Sequence, residues 1–324
     1  MTTRTRAADV PPGAAGALGR PGGLPGWLGA VVQTARPRQW PKNLLVFAAP
    51  LAGASLGRDD GLGYALAAAA AFTAAAAAVY FVNDVLDADR DRRHPVKRLR
   101  AVASGRLPRG HALAVAGLSM TLAEAGCLWI REYTLAVLVL VYFAVSLLYS
   151  AALKHLPVVE LLFVASGFVL RALGGASATR VPPSGWFLVV CSLGALMVAI
   201  AKRFTELAVL GPRAARTRPV MRWYRAGWLR LGQRAVSVGM ITAYLLWAAG
   251  QAGTGTRILH LVSALPLAAA LIRFDWLTGH DQAKPVEDLI SRDRLMVGSE
   301  LGWLVLFAAG LLTLTSEQAL VTFG

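Results

Sequence analysis

Long stretches of the chain lack any charged residue, and this feature constrains the fold more than any other. Residues 61–82, 133–153, 181–201 and 235–256 each run for more than 20 positions without Asp, Glu, Lys or Arg. A helix needs about 20 mostly apolar residues to cross a bilayer. Because lipid offers no hydrogen-bond partner to an open strand edge, each of these stretches is predicted to be a membrane-spanning α-helix.

Five further segments are apolar apart from a few isolated polar positions. They cover residues 43–57, 110–130, 156–177, 258–272 and 301–316. Together, the nine segments predict an all-α polytopic membrane protein, with about nine transmembrane helices packed in one bundle. The segment at 43–57 is short and contains Pro50, so it reaches across a bilayer only with help from its flanks.

The chain is strongly basic although it is apolar. It has 33 Lys and Arg against 18 Asp and Glu, a net charge of +15, and only 16% charged residues, where a soluble protein has about 25%. With nine spans, 28 of the 33 cations fall on one side, which the positive-inside rule identifies as cytoplasmic. Topology and contact with anionic membrane lipids explain most of this charge, so no nucleic-acid partner is expected.

The first 30 residues differ in composition from the rest. Gly, Pro and Ala dominate them, and the apolar core of a signal peptide is missing. Residues 1–30 are therefore predicted to form a disordered cytoplasmic tail, and residues 31–324 to form the membrane domain. At the junction, residues 27–36 are compatible with a short helix lying on the membrane interface.

Four acidic or amide side chains follow the second apolar segment at helical spacing. If the helix continues, Asn83, Asp87 and Asp91 lie one turn apart on one face, and Asp84 lies beside Asp87. Carboxylates this close repel each other, and they oppose the dipole at a helix C-terminus. A bound Mg²⁺ would relieve both effects, because it prefers oxygen ligands and is commonly shared with substrate phosphates. These four residues are therefore the predicted metal site.

A cationic loop follows this cluster directly. Pro95 is expected to end the helix, and Lys97 and Arg98 come next. Carboxylates, a metal and cations together suit a polyphosphate ester, in which Mg²⁺ and the cations share the phosphate charge. The alternative is a solvated acidic loop whose carboxylates pair with the neighbouring arginines.

Two motifs summarise this region: Asn83-Asp84-x-x-Asp87-x-x-x-Asp91 and, after it, His94-Pro95-x-Lys97-Arg98. Together with nine spans, they resemble the UbiA superfamily of intramembrane prenyltransferases. Three more stretches, at 36–43, 167–172 and 202–206, resemble the branch of that superfamily that transfers phosphoribosyl groups to decaprenyl phosphate. The resemblance implies a bacterial inner-membrane enzyme with a cytoplasm-facing active-site cavity and a Mg²⁺ cofactor.

The same resemblance implies the substrates. The donor would be phosphoribosyl pyrophosphate and the acceptor decaprenyl phosphate or another polyprenyl phosphate. The products would be decaprenylphosphoryl-5-phosphoribose, a precursor of cell-wall arabinan, and pyrophosphate.

Members of the superfamily usually carry a second motif of the form D-x-x-x-D, and this chain departs from it. In the corresponding region Glu160 is the only carboxylate, and position 164 is Val. Cations stand out there instead, namely Lys154, Arg171, Lys202 and Arg203. One metal-binding half and one cationic half suit two anionic substrates: a diphosphate donor with Mg²⁺, and a lipid monophosphate that needs no metal.

Each candidate residue has a predicted role. Asp84 and Asp87 act in catalysis with the metal, whose ligands Asn83 and Asp91 complete. The substrate phosphates are expected to contact Lys42, Tyr80, Lys97, Arg98, Lys154, Arg171, Lys202 and Arg203. Three of these have plainer alternatives: Lys42 snorkels to the interface, Tyr80 only packs, and Arg171 forms an internal ion pair, for instance with Glu160. The stretch at 284–294 has no role that the sequence reveals.

Two other functions fit parts of the sequence. One is a prenyltransferase that moves a polyprenyl group from its diphosphate to an aromatic or other small acceptor; a second carboxylate pair at 160 and 164 would favour it, and the sequence lacks that pair. The other is a transporter, which would place its binding residues near the bilayer midplane rather than at helix ends. The sequence leaves open whether the protein forms a homo-oligomer.

Overall fold

The computed structural model describes residues 26–53, 55–57, 60–281 and 286–323, except for the side chains at 154, 212, 216, 217, 287 and 314–323. Every regular element in these residues is a helix, as predicted. The α-helices in chain order are α1 (Gly26–Ala35), α2 (Ala48–Ala52), α3 (Gly61–Arg92), α4 (Arg109–Trp129), α5 (Tyr133–Ala151), α6 (Val159–Ala178), α7 (Gly185–Leu210), α8 (Ala214–Thr217), α9 (Ala226–Ala249), α10 (Thr254–His280), α11 (Val286–Arg292) and α12 (Arg294–Phe323).

Seven of these helices are long and apolar enough to cross a membrane. They are α3, α4, α5, α6, α7, α10 and the 294–313 part of α12. Each coincides with one of the nine predicted spans, which confirms a multi-pass helical membrane protein. The number nine and the cytoplasm-facing cavity stay predictions.

The predicted span at 43–57 does not form one continuous α-helix. Pro37–Phe47 is a 3₁₀ segment, and only the short α2 follows it. Pro41 lies inside the 3₁₀ segment and Pro50 inside α2, and a proline cannot donate the backbone hydrogen bond that an α-helix interior requires. The prediction of one continuous α-helix over these residues is therefore wrong.

The predicted span at 235–256 has shifted limits. The corresponding helix α9 begins earlier, at Ala226, and already ends at Ala249. Its first turns carry Arg230 and Arg234, whose guanidinium groups lie 3.6 and 3.1 Å from the carboxylate of Asp275 on α10. This shared carboxylate lets two cations enter the helix ahead of its apolar part.

The predicted tail ends sooner than expected. α1 matches the short helix predicted near Trp27, and Ala30 within it is buried in an apolar cluster with Ala77 and Phe81 of α3. Residues 26–30 are thus part of the folded protein, and the boundary predicted at residue 30 is too late. Residues 1–25 lie outside the described residues.

Helix α3 is the centre of the first half of the bundle, where it packs against α1, α4, α5, α6 and the 3₁₀ segment. Its many alanines are buried, and such small side chains let helix backbones approach closely. Two glycines of α6 show how close the approach is. A methyl group on Gly174 would lie 2.2 Å from the Phe72 ring, and one on Gly175 would lie 1.7 Å from the carbonyl oxygen of Val46.

The second half of the bundle consists of α7, α9, α10 and α12. Its core is a separate apolar cluster that includes Tyr244, Phe274 and Phe307. Helix α6 packs against both α3 and α7, so it joins the two halves.

Candidate active site

Helix α3 continues well beyond its apolar stretch and carries the acidic residues on an unbroken helix. It is one element of 32 residues that ends shortly before the proline of the following loop. The predicted helical spacing is therefore confirmed, with Asn83, Asp87 and Asp91 on successive turns and Asp84 beside them. We call these four residues the acidic helix end.

Two of the four side chains are buried and paired with arginines. Asp84, 3% exposed, accepts a hydrogen bond from Arg36 Nη2 at 2.6 Å. Asp91, 2% exposed, accepts one from Arg100 Nη1 at 2.8 Å, and the same nitrogen lies 3.4 Å from Asp84 Oδ1. Buried carboxylates so close together require compensating positive charge. The two arginines supply it, although neither was predicted as a site residue.

The other two members of the acidic helix end, Asn83 and Asp87, are less fully paired with the rest of the chain. Asn83 Oδ1 is buried and has no hydrogen-bond partner in the described part of the chain. Asp87 is half-buried and pairs with Arg90, almost one turn further along α3. A buried amide oxygen without a partner is costly, so it indicates a ligand that the chain itself does not provide.

The chemistry of this donor set fits Mg²⁺, because it consists only of carboxylate and amide oxygens. Within the described ranges, however, no three His, Cys, Asp or Glu side chains come together to hold a metal by themselves. Arg36 and Arg100 occupy two of the carboxylates instead. Such a partial site still suits Mg²⁺, which is commonly held by one or two carboxylates and completed by water and substrate phosphates.

The 3₁₀ segment lies antiparallel along α3 and contacts it at three polar points. These are Arg36 with Asp84, Gln39 with Tyr80, whose hydroxyl donates to Gln39 Oε1 at 2.9 Å, and Asn43, whose Nδ2 donates to Thr73 Oγ1 at 2.8 Å. We call these three contacts the polar ladder. Residues 36 to 43 advance about 14 Å in a 3₁₀ helix, and residues 84 to 73 about 16 Å in an α-helix, so the two elements stay in register.

Two residues predicted to contact substrate belong to this region. Tyr80 donates to Gln39, and the Arg36 guanidinium lies 4.8 Å from the centre of its ring. Tyr80 is thus more than a packing aromatic, because it links the 3₁₀ segment to the acidic helix end. Lys42 lies half-buried on the same segment, next to Asn43.

Arg171 is buried within α6 and is held by neutral groups. Its Nε donates to Asn43 Oδ1 at 2.6 Å, its Nη1 to the Gly167 carbonyl oxygen at 2.5 Å, and its Nη2 to Tyr142 Oη at 2.9 Å. The guanidinium also lies 4.5 Å from the centre of the Tyr142 ring. The ion pair between Arg171 and Glu160, one alternative from the sequence, is wrong, because Glu160 has other partners.

Glu160 is completely buried between two arginines. Its Oε1 lies 2.7 Å from Arg203 Nε, and its Oε2 lies 3.1 Å from Arg218 Nη1. Glu206 Oε2 lies 2.6 Å from Arg203 Nη1, and Tyr149 Oη accepts a hydrogen bond from Arg218 at 3.2 Å. Glu160, Arg203, Glu206 and Arg218 form what we call the closed cluster, in which two carboxylates and two guanidinium groups neutralise one another.

One member of the closed cluster, Arg203, is also a predicted substrate contact. The guanidinium of Arg203 is engaged by two carboxylates, so its contact with a substrate phosphate stays a prediction. Burial opposes the charged form of Arg218, but Tyr149, Glu206 and Glu160 outweigh burial and raise the pKa of its guanidinium above the ordinary value. Arg218 therefore keeps its charge. It lies 58 positions from Glu160, and no sequence pattern pointed to it.

Lys97 and Arg98 form a short 3₁₀ turn, Lys97–Leu99, in the loop after α3. The backbone amides of Val96 and Lys97 both donate to His94 Nδ1 at 3.2 Å, which fixes the start of the turn. Arg98 is exposed and Lys97 half-buried, and in the chain as described neither has an ion-pair partner. Their predicted contact with the donor phosphates stays a prediction.

The remaining predicted residues are less informative. Lys202 is half-buried on α7, directly before Arg203. The side chain of Lys154 and residues 284 and 285 lie outside the described residues. At the other end of the 284–294 stretch, Asp293 Oδ2 lies 2.7 Å from Arg273 Nη2 of α10, which ties this stretch to the bundle.

Several residues without a predicted role turn out to be partners of the predicted ones: Arg36 and Arg100 pair with carboxylates, Gln39 with Tyr80, and Asn43 and Tyr142 with Arg171. A signal existed for Arg36 and Gln39, which stand inside one of the stretches that carried the family resemblance, and for Arg100, which stands in the cationic loop. Asn43 stands at the end of the same stretch as Arg36 and Gln39, whereas Tyr142 lies in an uncharged apolar segment where nothing marked it.

Fold and site together define a multi-pass helical membrane protein with oxygen ligands and cations gathered at the end of one central helix. The model of the UbiA prenyltransferase family matches residues 42–290. The chain belongs to this family and is a membrane-bound transferase, as the resemblance in the sequence implied.

Relatives and solved structures agree with this assignment. Decaprenyl-phosphate phosphoribosyltransferase of Mycobacterium tuberculosis is 36% identical over 284 residues, which cover 86% of this chain and 93% of that protein. The enzyme of the same name from Mycolicibacterium smegmatis is 33% identical over 286 residues, or 85% of this chain and 90% of that one. A UbiA homologue from Archaeoglobus fulgidus, solved with GPP and Mg²⁺, shares the fold with a TM-score of 0.65 at 16% identity, covering 88% of this chain and 99% of that one.

Proposed function

We propose that the protein transfers the 5-phosphoribosyl group from phosphoribosyl pyrophosphate to decaprenyl phosphate or another polyprenyl phosphate. The bond between ribose C1 and the pyrophosphate oxygen breaks, and a bond forms from C1 to an oxygen of the lipid phosphate. The products are decaprenylphosphoryl-5-phosphoribose and pyrophosphate. Support comes from the names of relatives that are 33–36% identical over most of the chain.

One structural observation favours this reaction over prenyl transfer to a small acceptor. The closed cluster stands where other family members carry a second acidic motif, and both oxygens of Glu160 are taken by Arg203 and Arg218. This half of the site is therefore not available to a second metal. Prenyl-diphosphate enzymes of the superfamily usually carry that second motif, so its neutralisation here favours a donor other than a prenyl diphosphate.

The acidic helix end is the proposed place of that diphosphate. Asn83 and Asp87 would hold Mg²⁺, with Asp84 and Asp91 nearby, and substrate phosphates would complete the ligand set. When bound, Mg²⁺ supplies positive charge that stabilises the pyrophosphate leaving group. Lys97 and Arg98 share that charge from the loop, since neither is engaged by a carboxylate in the described ranges.

The acceptor requires little activation by the protein. A phosphate monoester is already ionised at pH 7, so its oxygen attacks without a strong general base. We propose that the chain acts mainly by positioning and electrostatics, with Tyr80 and Lys42 beside the donor and the cations Lys154, Lys202 and Arg203 on the acceptor side.

The proposed setting is the bacterial inner membrane, with the site facing the cytoplasm. Phosphoribosyl pyrophosphate is a soluble, highly charged molecule that does not cross a bilayer, so the donor half must be open to the cytoplasm. The lipid product would serve the synthesis of cell-wall arabinan.

The test uses purified full-length protein with decaprenyl phosphate, Mg²⁺ and phosphoribosyl pyrophosphate labelled with ¹⁴C in the ribose. We expect the label to move into the organic phase. Asp87→Ala should abolish this transfer while the protein stays folded. Its matched control is Asp89→Ala, because Asp89 is an exposed carboxylate on the same helix and pairs with the surface arginines Arg92 and Arg109.

The outcomes separate the candidate functions. Label that stays in water while a prenyl diphosphate is consumed with an aromatic acceptor would favour the prenyltransferase. Uptake of label into proteoliposomes without a lipid product would favour a transporter. Near-normal transfer by a folded Asp87→Ala protein would contradict the proposed metal site.

A further inference from the structure

Arg171 lies deep in the bundle, yet it is tied to the segment that reaches the acidic helix end. Its partner Asn43 contacts Thr73, which precedes Asp84 by 11 residues on α3. At 1.5 Å per residue this is about 16 Å along the helix axis. The contact between Arg171 and Asn43 is therefore far along α3 from the residues that are proposed to meet the substrate phosphates.

All three nitrogens of the Arg171 guanidinium have a neutral acceptor, and two of these acceptors lie on other elements. Nε reaches the 3₁₀ segment through Asn43, Nη2 reaches α5 through Tyr142, and Nη1 binds back to the carbonyl of Gly167 one turn earlier on α6. The side chain is 6% exposed. This fork depends on the planar guanidinium, which a lysine ammonium cannot reproduce.

Asn43 connects Arg171 to α3 by hydrogen bonds. Its Oδ1 accepts from Arg171 and its Nδ2 donates to Thr73, so the amide can adopt only one orientation. Close beside it, Gly175 leaves no space between α6 and the carbonyl oxygen of Val46. The deep end of the 3₁₀ segment is therefore clamped between α3 and α6.

The clamp determines the register of the polar ladder. A 3₁₀ helix has poor hydrogen-bond geometry of its own, so side-chain contacts decide where the segment sits along α3. A slip of one residue would move the segment by about 2 Å. That distance is enough to break the 2.6 Å contact between Arg36 and Asp84 and to displace Lys42.

We propose that Arg171 is a positioning residue. Through Asn43 it fixes the register of the polar ladder, and through the ladder it places Arg36 at the acidic helix end. This role replaces the direct contact between Arg171 and a substrate phosphate that was predicted from the sequence. The kinetic part of its test rests on the proposed function.

The kinetic test compares KM for donor and acceptor in Arg171→Met, Arg171→Lys, Asn43→Leu and the double variant Asn43→Leu/Arg171→Met. We expect each single change to raise the donor KM by about tenfold and the double variant to be no worse than the poorer single variant. The acceptor KM should stay unchanged. Arg171→Lys should be as impaired as Arg171→Met, although it keeps the charge.

A matched control is Arg180→Met, which removes an arginine just beyond the end of α6. Its side chain is 73% exposed and pairs with Glu132, away from the polar ladder, so both KM values should stay at wild-type level. The inference is overturned if Arg171→Lys behaves like the wild type, if Asn43→Leu leaves the donor KM unchanged, or if the acceptor KM is the one that rises.

Hydrogen exchange tests the inference without the proposed reaction. Amides in Pro37–Phe47 should lose protection in Arg171→Met and Arg171→Lys, whereas amides in α7 and α10 should keep it. Unchanged protection in Pro37–Phe47 would overturn the inference even if the transferase reaction is found. If the wild type makes no phosphoribosyl lipid, the proposed function fails, and this experiment alone decides about Arg171.

Discussion

Arg36 and Asp84 are 48 positions apart in the sequence, and their side chains are 2.6 Å apart in the structure. The contact joins the start of the 3₁₀ segment to the acidic end of α3. Together with Arg100, it gives the buried carboxylates Asp84 and Asp91 positive partners within the chain. A metal and a diphosphate bound here, as we propose, would therefore have to compete with these arginines for the carboxylates.

This competition predicts how Arg100→Met responds to Mg²⁺. The substitution removes the hydrogen bond to Asp91 and leaves two buried carboxylates with less positive charge, which should cost about 1.5–3 kcal/mol of unfolding free energy. Added Mg²⁺ should replace part of that charge. Thermal unfolding in detergent should therefore show a larger Mg²⁺-induced rise in Tm for the variant than for the wild type.

The control for this experiment is Arg109→Met, whose partner Asp89 is exposed. Its response to Mg²⁺ should equal that of the wild type. An equal Mg²⁺ response in Arg100→Met and the wild type would show that Arg100 does not compete with the metal.

The closed cluster predicts a different result for Glu160→Ala. Removing this carboxylate leaves Arg203 buried with one partner fewer, which should destabilise the protein by about 3 kcal/mol. The remaining activity of the variant should reach its half-maximum at the same Mg²⁺ concentration as the activity of the wild type. Measuring that midpoint alongside Tm checks both statements, and a shifted midpoint would mean that Glu160 takes part in metal binding.

The close contact of α6 with the 3₁₀ segment predicts the effect of Gly175→Ala. A methyl group there would lie 1.7 Å from the Val46 carbonyl oxygen, so the segment must move away from α6. Overpacking of this kind costs about 1–3 kcal/mol, and it should also lower transferase activity. The matched control is Gly126→Ala on α4, where a methyl group would meet nothing within 4 Å. Equal unfolding temperatures for the two variants would contradict the tight packing.

The stability of the protein is expected to depend on pH through Asp293, which lies outside the membrane-spanning segments. The hydrogen bond from Arg273 lowers the pKa of Asp293 from 3.8 to about 2, helped by the backbone amide of Met296. Because the folded-state pKa is the lower one, this contact stabilises the protein fully above the unfolded pKa and is lost as the pH falls through the folded pKa. Asp293→Asn should therefore lower Tm at pH 7, and its difference from the wild type should shrink between about pH 4 and pH 2. A difference that stays constant over this range would contradict the assignment.

Much of the fold was predictable because lipid restricts the choices. Seven apolar segments form helices long and apolar enough to cross a membrane, and the helical spacing of Asn83, Asp87 and Asp91 held because α3 is continuous up to Arg92. Two of the nine predicted segments, 43–57 and 235–256, differ from the prediction. Two prolines near residue 43 turned a predicted span into a 3₁₀ segment, and two arginines extended α9 towards its N-terminus.

The partners of the charged residues were far less predictable, because they depend on tertiary contacts. An ion pair of Arg171 with Glu160 was one expectation, yet its side chain donates to Tyr142 and to Asn43, which is 128 positions away. Glu160 pairs with Arg218, which lies in a distant loop, and no spacing in the sequence links the two residues. A charge in a sequence indicates that a partner must exist, but only the packing of the helices determines which one.

In the proposed reaction the phosphoribosyl group, and not a prenyl chain, is transferred to an anionic lipid. A double-label assay decides this: phosphoribosyl pyrophosphate that carries ¹⁴C in the ribose and ³²P in the pyrophosphate group is incubated with the protein, decaprenyl phosphate and Mg²⁺. We predict that ¹⁴C enters the lipid while ³²P leaves as pyrophosphate in equal molar amount. If both labels stay in the aqueous phase as intact donor while the purified protein is folded, the account is contradicted.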